Sequence, residues 1–226
     1  MRKLAAFLIL LLVLVAILDR VAVSGVEKEI AMRATAKYDL ATTPEVTIPG
    51  IPFLTQAVAG RYDEVKVAAG PMTVAGVRLS GVNFTLYGVT ASLEDMVLHA
   101  DRVNIRAERV AGTVVVPLET LNQKAPPGIK LAVDGDDLNV DGEITVLGRK
   151  VPAKAKMKIE LVEDQVRFVP EDITLGGGIS VPRPERFISY RIPMKNLPFN
   201  LKVTDVKTVP DGVQISGEAT DVPLRG

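Results

Sequence analysis

The stretch VTIPGIPFLTQAVAGRYDEVKV, residues 46–67, divides the chain into two kinds of sequence. A helical pattern precedes it, and segments typical of β-strands follow it. Residues 46–48 and 65–67 alternate apolar and polar side chains, which is the period of a half-buried strand. Between them Pro52 suits the first turn of a helix, and Gly60 suits the left-handed conformation that ends one. The stretch therefore predicts strand, short helix, strand, with one apolar face on the short helix.

An apolar run, LAAFLILLLVLVAIL at residues 4–18, stands near the start between two basic residues and an Asp-Arg pair. A basic start followed by such a run is the pattern of a secretory signal. As a helix the run would be about 22 Å long, shorter than the ~30 Å hydrocarbon core of a bilayer. The run is apolar on every face, which disfavours the alternative of a buried core helix.

Small residues follow the run, and the sequence alone does not decide whether a signal peptidase cleaves there. Ala22 and Ser24 occupy the positions that a signal peptidase prefers, just before Gly25. We expect residues 1–24 to be either a cleaved signal peptide or a retained signal anchor. Both alternatives place the remainder, residues 25–226, outside the plasma membrane as a single domain.

A second helix is predicted over residues 25–41. Val26, Ile30, Ala34 and Tyr38 recur every four residues and form one apolar stripe, while charged residues occupy the other faces. A short third helix is predicted at residues 117–124, where two leucines share a face. Either helix could cover the dry face of a sheet.

The rest of the chain reads as strands separated by turn signals. Valine is the commonest residue, aromatic residues make up only 4%, and tryptophan is absent, so the core should be aliphatic. Because most strands have one dry face, we expect an α+β fold: a strongly curved antiparallel sheet wrapped around a long N-terminal helix, with one or two short helices. The predicted strands are 72–79, 82–89, 96–107, 129–134, 137–147, 150–162, 165–175, 199–208 and 212–220.

The sequence contains no recognisable catalytic motif. The chain has no cysteine, and its 27 basic residues balance 27 acidic ones, so thiol chemistry and a basic nucleic-acid surface are not indicated. His99 is the single histidine and follows no nucleophile motif. We expect no catalytic residues, no metal site and no cofactor.

One acidic segment needs a separate judgement. Asp137, Asn139, Asp141 and Gly142 match the first half of a calcium-binding EF-hand loop, but the position of the bidentate glutamate is Gly148. Because apolar residues alternate with these polar ones, a solvated strand face is the preferred interpretation.

A lipid carrier requires none of the missing motifs. Each buried methylene contributes about 0.8 kcal/mol, so an aliphatic groove can hold an acyl chain without a catalytic site. The same composition also suits a densely packed, membrane-tethered β domain that is structural or binds a protein partner. An envelope hydrolase is a third, weaker alternative.

The stretch from Pro44 to Val65, PEVTIPGIPFLTQAVAGRYDEV, resembles the signature of the LmeA-like family of actinobacterial envelope proteins. The matching parts are a Pro-x-Val segment, then Gly-x-Pro-Phe-Leu-Thr-Gln, then Gly-Arg-Tyr-Asp. Leu197-Pro198-Phe199 and the segment from Asp211 to Val222 are similar to the end of that family.

The resemblance implies non-enzymatic binding, with transfer as a further option, of phospholipid in the cell envelope, in support of envelope lipid or glycolipid assembly. Phosphoinositides are among the implied lipids, the membrane surface is an implied partner, and the implied fold resembles the tubular lipid-binding (TULIP) architecture. With that frame we expect Arg61 to be a candidate phosphate contact. The expected lipid-lining residues are Ile30, Ala34, Tyr38, Phe53, Leu54, Val58, Leu118 and Leu121.

Overall fold

A computed structural model gives the architecture of the chain. It describes residues 2–74, 76–91, 105–125, 128–146, 149–162, 165–176, 179–180, 190–193 and 198–224. The chain forms two compact units. Unit 1 comprises residues 1–70, 83–111 and 219–226, and unit 2 comprises residues 71–82 and 112–218. The predicted α+β class, with a long N-terminal helix, antiparallel sheets and short helices, is confirmed.

Helix α1 is a single helix from Arg2 to Tyr38. The predicted helix over residues 25–41 is therefore the second half of a longer one that also contains the apolar run. The lone Gly25 does not interrupt it, because one glycine costs a helix only about 1 kcal/mol. The predicted end was wrong by three residues: Asp39 takes a left-handed φ of 48°, a conformation that aspartate tolerates.

Unit 1 contains the strand–helix–strand arrangement predicted from the opening stretch. Strand β1 covers Glu45–Thr47, helix α2 covers Phe53–Ala59, and strand β2 covers Arg61–Ala69. Strands β1 and β2 pair antiparallel, with Val46 opposite Val67. Strands β5 (Gly81–Thr90), β6 (Arg106–Pro117) and β14 (Gly212–Pro223) each contribute residues to both units.

Six strands form the first sheet in the order β1-β2-β5-β6-β14-β13, where β13 is Lys202–Val209. Strand β13 follows a short 3-10 helix at Pro198–Asn200. It pairs antiparallel with β14, and a register shift occurs between Val203 and Asp205.

The second sheet lies in unit 2 and has the order β11-β10-β9-β8-β7, with β12 also paired to β10. Its buried face carries Leu138, Val140, Val166, Phe168 and Ile173, which alternate with polar residues along their strands. The predicted short helix is confirmed as α3, Leu118–Lys124. The strands are β7 (Ile129–Asp134), β8 (Asp137–Val146), β9 (Arg149–Val162), β10 (Gln165–Leu175), β11 (Ile179–Ser180) and β12 (Tyr190–Pro193).

One predicted strand, residues 72–79, was wrong. The structure has a hairpin there, with β3 at Met72–Val74 and β4 at Val77–Leu79. Gly76 supplies the positive φ of 76° in this turn, a conformation that only glycine adopts without cost. Most of the predicted strand 96–107 lies outside the described residues, as does His99. The part of β6 beyond residue 107 was not predicted as a strand.

The acidic segment that resembles half of an EF-hand is strand β8, as its alternation indicated. In the sheet Asn139 lies opposite Lys156 and Asp141 lies opposite Lys154. Asp137 pairs with Lys156 at 2.8 Å, and this ion pair raises the pKa of the Lys156 ammonium above its usual value. The carboxylates thus face lysines of the neighbouring strand.

Candidate functional site

Two carboxylates of helix α1, Asp19 and Glu27, bind backbone N–H groups of the stretch at residues 46–67. Asp19 Oδ1 accepts the backbone N–H of Leu54 at 2.7 Å, and Glu27 Oε1 accepts that of Ile48 at 2.8 Å. Asp19, Val23, Glu27 and Ala31 are spaced four residues apart and therefore lie on one face of the helix. This face carries the three buried residues of α1, Asp19, Val23 and Ala31. Its register differs by one residue from the predicted apolar stripe.

Asp19 has a capping role at the start of helix α2. The first N–H groups of a helix lack partners within it, and Pro52 at the N-cap provides no side-chain bond. Asp19 meets one of them, at Leu54, although it lies on a different helix. Its other oxygen pairs with Arg20, whose Nη2 also donates to the carbonyl of Gly50 at 3.2 Å.

Gln56 holds the two ends of the opening stretch together. Its Nε2 donates to the carbonyl of Pro49 at 3.1 Å, and its Oε1 accepts the N–H of Asp63 at 3.2 Å. Gly50 makes room for this side chain: its φ is 106°, and a Cβ there would lie 2.5 Å from Gln56 Nε2. The motif Gly-x-Pro-Phe-Leu-Thr-Gln therefore encodes a closed loop.

A groove of about 380 Å³ lies beside this face of α1, within unit 1. Ligand sites commonly measure about 300–1,000 Å³, so the groove is within the range for a small ligand or part of a lipid. Ala31, Pro44 and Val46 are buried, whereas Met32 is exposed. The groove is lined by Ser24, Glu27, Lys28, Ala31, Met32, Thr43, Pro44, Glu45 and Val46.

A larger concavity of about 560 Å³ occurs in unit 2, and its lining residues come from the second sheet and from strand β13. Asp137, Lys156, Glu171 and Lys207 are among its lining residues, so its walls are mainly charged. A surface of this kind suits polar ligands and not an acyl chain, because desolvating charges opposes apolar binding. The groove of unit 1 is the better candidate for an apolar ligand.

The predicted lipid-lining residues on helix α1 are not among the residues that line this groove. Ile30 and Ala34 are half-buried, and Tyr38 is exposed. The predicted stripe considered apolar side chains alone and so missed the face that Asp19 and Glu27 occupy. The only sequence signal for that face is its own spacing of four residues.

Of the predicted lipid-lining residues on helix α2, two are at least partly buried and one is exposed. Phe53 is buried and stacks on Tyr62, with ring centroids 5.9 Å apart, and Leu54 is half-buried. Val58 is 81% exposed, because the buried face of α2 continues through Ala57 instead. In unit 2, Leu121 is buried and Leu118 is half-buried.

Arg61, the candidate phosphate contact, begins strand β2. Its Nη2 lies 2.9 Å from Glu108 Oε1, and both side chains are more than half exposed. An exposed pair of this kind is weak, so solvent or an anion can compete for the guanidinium.

By length and composition, helix α1 is long and apolar enough to cross a membrane. Its apolar run, from Leu4 to Leu18, is exposed throughout. Among the residues that the structure describes, no group of three or more acidic or histidine side chains is arranged to hold a metal ion.

Comparison with known proteins gives one result. No curated protein and no solved structure matches the chain. The model of one family, described as LmeA-like phospholipid-binding, matches residues 17–218. This range covers most of both units and begins before Asp19, within the helix that carries the capping carboxylates. On this match the chain belongs to the LmeA-like phospholipid-binding family.

Proposed function

We propose that this protein binds phospholipid without catalysing a reaction, and that the groove between α1 and residues 43–46 receives part of an acyl chain. The family match is the observation that carries this proposal. The groove adds a place of suitable size, with Ala31, Val46 and Met32 among its walls. Because each buried methylene contributes about 0.8 kcal/mol, even partial burial of a chain is favourable.

The headgroup would lie near cationic side chains of unit 1. Lys28 lines the groove itself, and Arg61 begins the strand that follows α2. An arginine can hold a phosphate through two parallel N–H donors, whereas a lysine acts as a point charge. Inositol phospholipids are one class of anionic lipid that such cations would accept.

In this proposal residues 25–226, together with Ser24 on the wall of the groove, act as one lipid-binding domain outside the plasma membrane, next to the membrane surface. The apolar run of α1 supports export, because it has the form of a signal sequence or an anchor. Lipid held there would support the assembly of envelope lipids or glycolipids, and its transfer between membranes is a further part of the proposal. Of the predicted lining residues on helix α2, the inward ones, Phe53 and Leu54, are candidates for contact once a lipid opens the groove.

Photocrosslinking tests the proposal on the full chain. The protein is reconstituted in vesicles that contain a phosphatidylinositol with a photoreactive acyl chain, and the adducts are mapped by peptide mass spectrometry. Adducts on the apolar run are expected whether or not the groove binds lipid, because this segment inserts into the bilayer. They serve as an internal reference. The proposal predicts additional adducts on peptides that contain residues 24–32 and 43–46.

Two neighbouring residues provide a matched pair of variants. Ser24 lines the groove, whereas a Cβ at Gly25 would meet no described heavy atom within 4 Å. Ser24→Leu should reduce the groove adducts relative to the reference, and Gly25→Leu should leave them unchanged. Adducts confined to the apolar run in the unmodified chain would overturn the proposal and favour the alternative, a membrane-tethered structural or partner-binding domain.

A further inference from the structure

The first observation concerns where the apolar run ends relative to the folded part of unit 1. Residues 4–18 expose their side chains on all faces, yet Asp19, the next residue, is only 2% exposed. Helix α1 passes between these two environments without a break. A helix segment of this composition is stable in an apolar surrounding, so in an anchored chain the boundary at Asp19 would be the point at which the helix leaves the hydrocarbon.

The second observation is that residues before the expected cleavage point belong to the fold. Cleavage before Gly25 would remove Asp19 and Arg20, and with them the bonds to Leu54 and Gly50. It would also remove Val23, one of the buried side chains of α1. The family match likewise begins at residue 17. A cleaved chain would therefore lose part of the packing that holds helix α2.

The third observation is that two large aliphatic side chains next to the end of the run are exposed. Ile51 is 82% exposed and Val58 is 81% exposed. Both belong to the segment that Asp19 and Arg20 bind, one just before helix α2 and one within it. They are thus held close to the end of the apolar run.

The short length of the apolar run suggests that Ile51 and Val58 contact the bilayer. The run measures about 22 Å against a hydrocarbon core of ~30 Å, and a bilayer adjusts to a short span by thinning or by drawing in flanking surface. Arg20 is half exposed and follows the run directly, so in an anchored chain it would lie at the level of the lipid phosphates. Aliphatic side chains beside a cationic one match the boundary between acyl chains and headgroups.

We propose that helix α1 is retained as an uncleaved anchor and that Ile51 and Val58 form a docking surface that enters the outer lipid interface. The occupant of this surface is the bilayer itself. The inference rests on the proposed export of the chain and is independent of the groove. It assigns a function to the outward side of the opening stretch, beyond its role in closing the loop.

The absence of native tryptophan allows a direct test with the full chain. Ile51→Trp is reconstituted in phosphatidylcholine vesicles with brominated or unbrominated acyl chains. Bromine quenches tryptophan on contact, so the inference predicts that this variant loses most of its emission in the brominated vesicles. Val58→Trp is a second probe of the same surface and protects the test against a folding defect in the first variant.

The matched control is Arg33→Trp, on the exposed side of α1 about 21 Å along the helix from Asp19. It should emit as a solvent-exposed tryptophan and resist quenching. If the Ile51 and Val58 probes behave like this control, the docking surface is overturned. If the mature protein in membranes begins at Gly25 by N-terminal sequencing, the retained anchor is overturned.

These outcomes are separable from those for the proposed function. Groove adducts with unquenched probes would support phospholipid binding and remove the docking surface. Quenched probes without groove adducts would keep the docking surface and remove the groove as a lipid site.

Discussion

Asp19 on helix α1 accepts the backbone N–H of Leu54 on helix α2 at 2.7 Å, across 35 residues of chain. This bond gives the shorter helix the capping group that its own sequence lacks, since the residue before Phe53 is a proline without a side-chain acceptor. It also couples the apolar run to the folded part of unit 1.

Removal of this carboxylate should lower the melting temperature of the full chain. Asp19→Ala leaves the N–H of Leu54 without its acceptor, which is costly for a donor away from water, and it removes one of the partners of Arg20. Asp19→Asn keeps one acceptor oxygen and should lie between Ala and the unmodified chain. Thermal unfolding in detergent, followed by far-ultraviolet circular dichroism, gives the melting temperatures of the three chains.

The control for Asp19 is Glu29→Gln on the same helix. Glu29 forms an exposed pair with Arg33 at 2.7 Å, and such pairs contribute little. The melting temperature of this variant should match that of the unmodified chain. Equal melting temperatures for Asp19→Ala and Glu29→Gln would show that the cap has no energetic weight.

Gln56 should be a stability determinant because it makes two hydrogen bonds at once. Gln56→Ala is expected to reduce the free energy of unfolding by about 1–2 kcal/mol, since each net hydrogen bond contributes about 1 kcal/mol. Gln56→Glu keeps the acceptor for Asp63 but opposes the carbonyl of Pro49 with a second acceptor, so it should not restore stability. Urea unfolding of each variant provides the measurement.

Gln123→Ala is the matched control for Gln56, because Gln123 is an exposed glutamine on helix α3 with one long bond of 3.4 Å to Glu119. Its effect on the free energy of unfolding should be small. A similar loss in both glutamine variants would mean that the loop closure by Gln56 is unimportant.

The pair of Arg61 and Glu108 separates binding from stability. Because both side chains are more than half exposed, either substitution should change the free energy of unfolding by less than about 1 kcal/mol. If Arg61 contacts phosphate, Arg61→Gln lowers the yield of crosslinked phosphatidylinositol, and Glu108→Gln raises it by releasing the guanidinium. Unchanged yields in both variants would remove Arg61 from the lipid site.

The phenol of Tyr62 should titrate above the ordinary pKa of tyrosine. Burial against Phe53 raises the pKa of its phenol above the usual value, because ionisation would place a charge in an apolar surrounding. The stability from keeping this phenol neutral is complete below its unfolded pKa, near 10, and is lost as pH rises through the folded pKa. The difference between absorbance titrations of the unmodified chain and of Tyr62→Phe isolates this phenol, and it should be centred above the ordinary tyrosine pKa of about 10. A difference centred at or below that value would contradict the assignment.

Local patterns in the sequence predicted the elements that depend on local rules. Helix α2 and its neighbouring strands follow from alternation, a proline and a glycine, and Gly60 does end α2 with a φ of 64°. The hairpin within residues 72–79 was missed because apolar residues on both sides of Gly76 look like one continuous strand. The site was harder to predict from the sequence, because Asp19 and Glu27 resemble an ordinary polar face of a helix. Their acceptor roles depend on backbone groups 35 and 21 residues away, which no periodicity records.

Native mass spectrometry of the full chain, released from detergent micelles, tests phospholipid binding in unit 1 most directly. The predicted result is a population with the added mass of one diacyl phospholipid, which persists after the micelle is removed. This population should be retained in Gly25→Leu and depleted in Ser24→Leu. A chain that appears only in its bare mass, or a bound population that is the same in both variants, would contradict a lipid site in this groove.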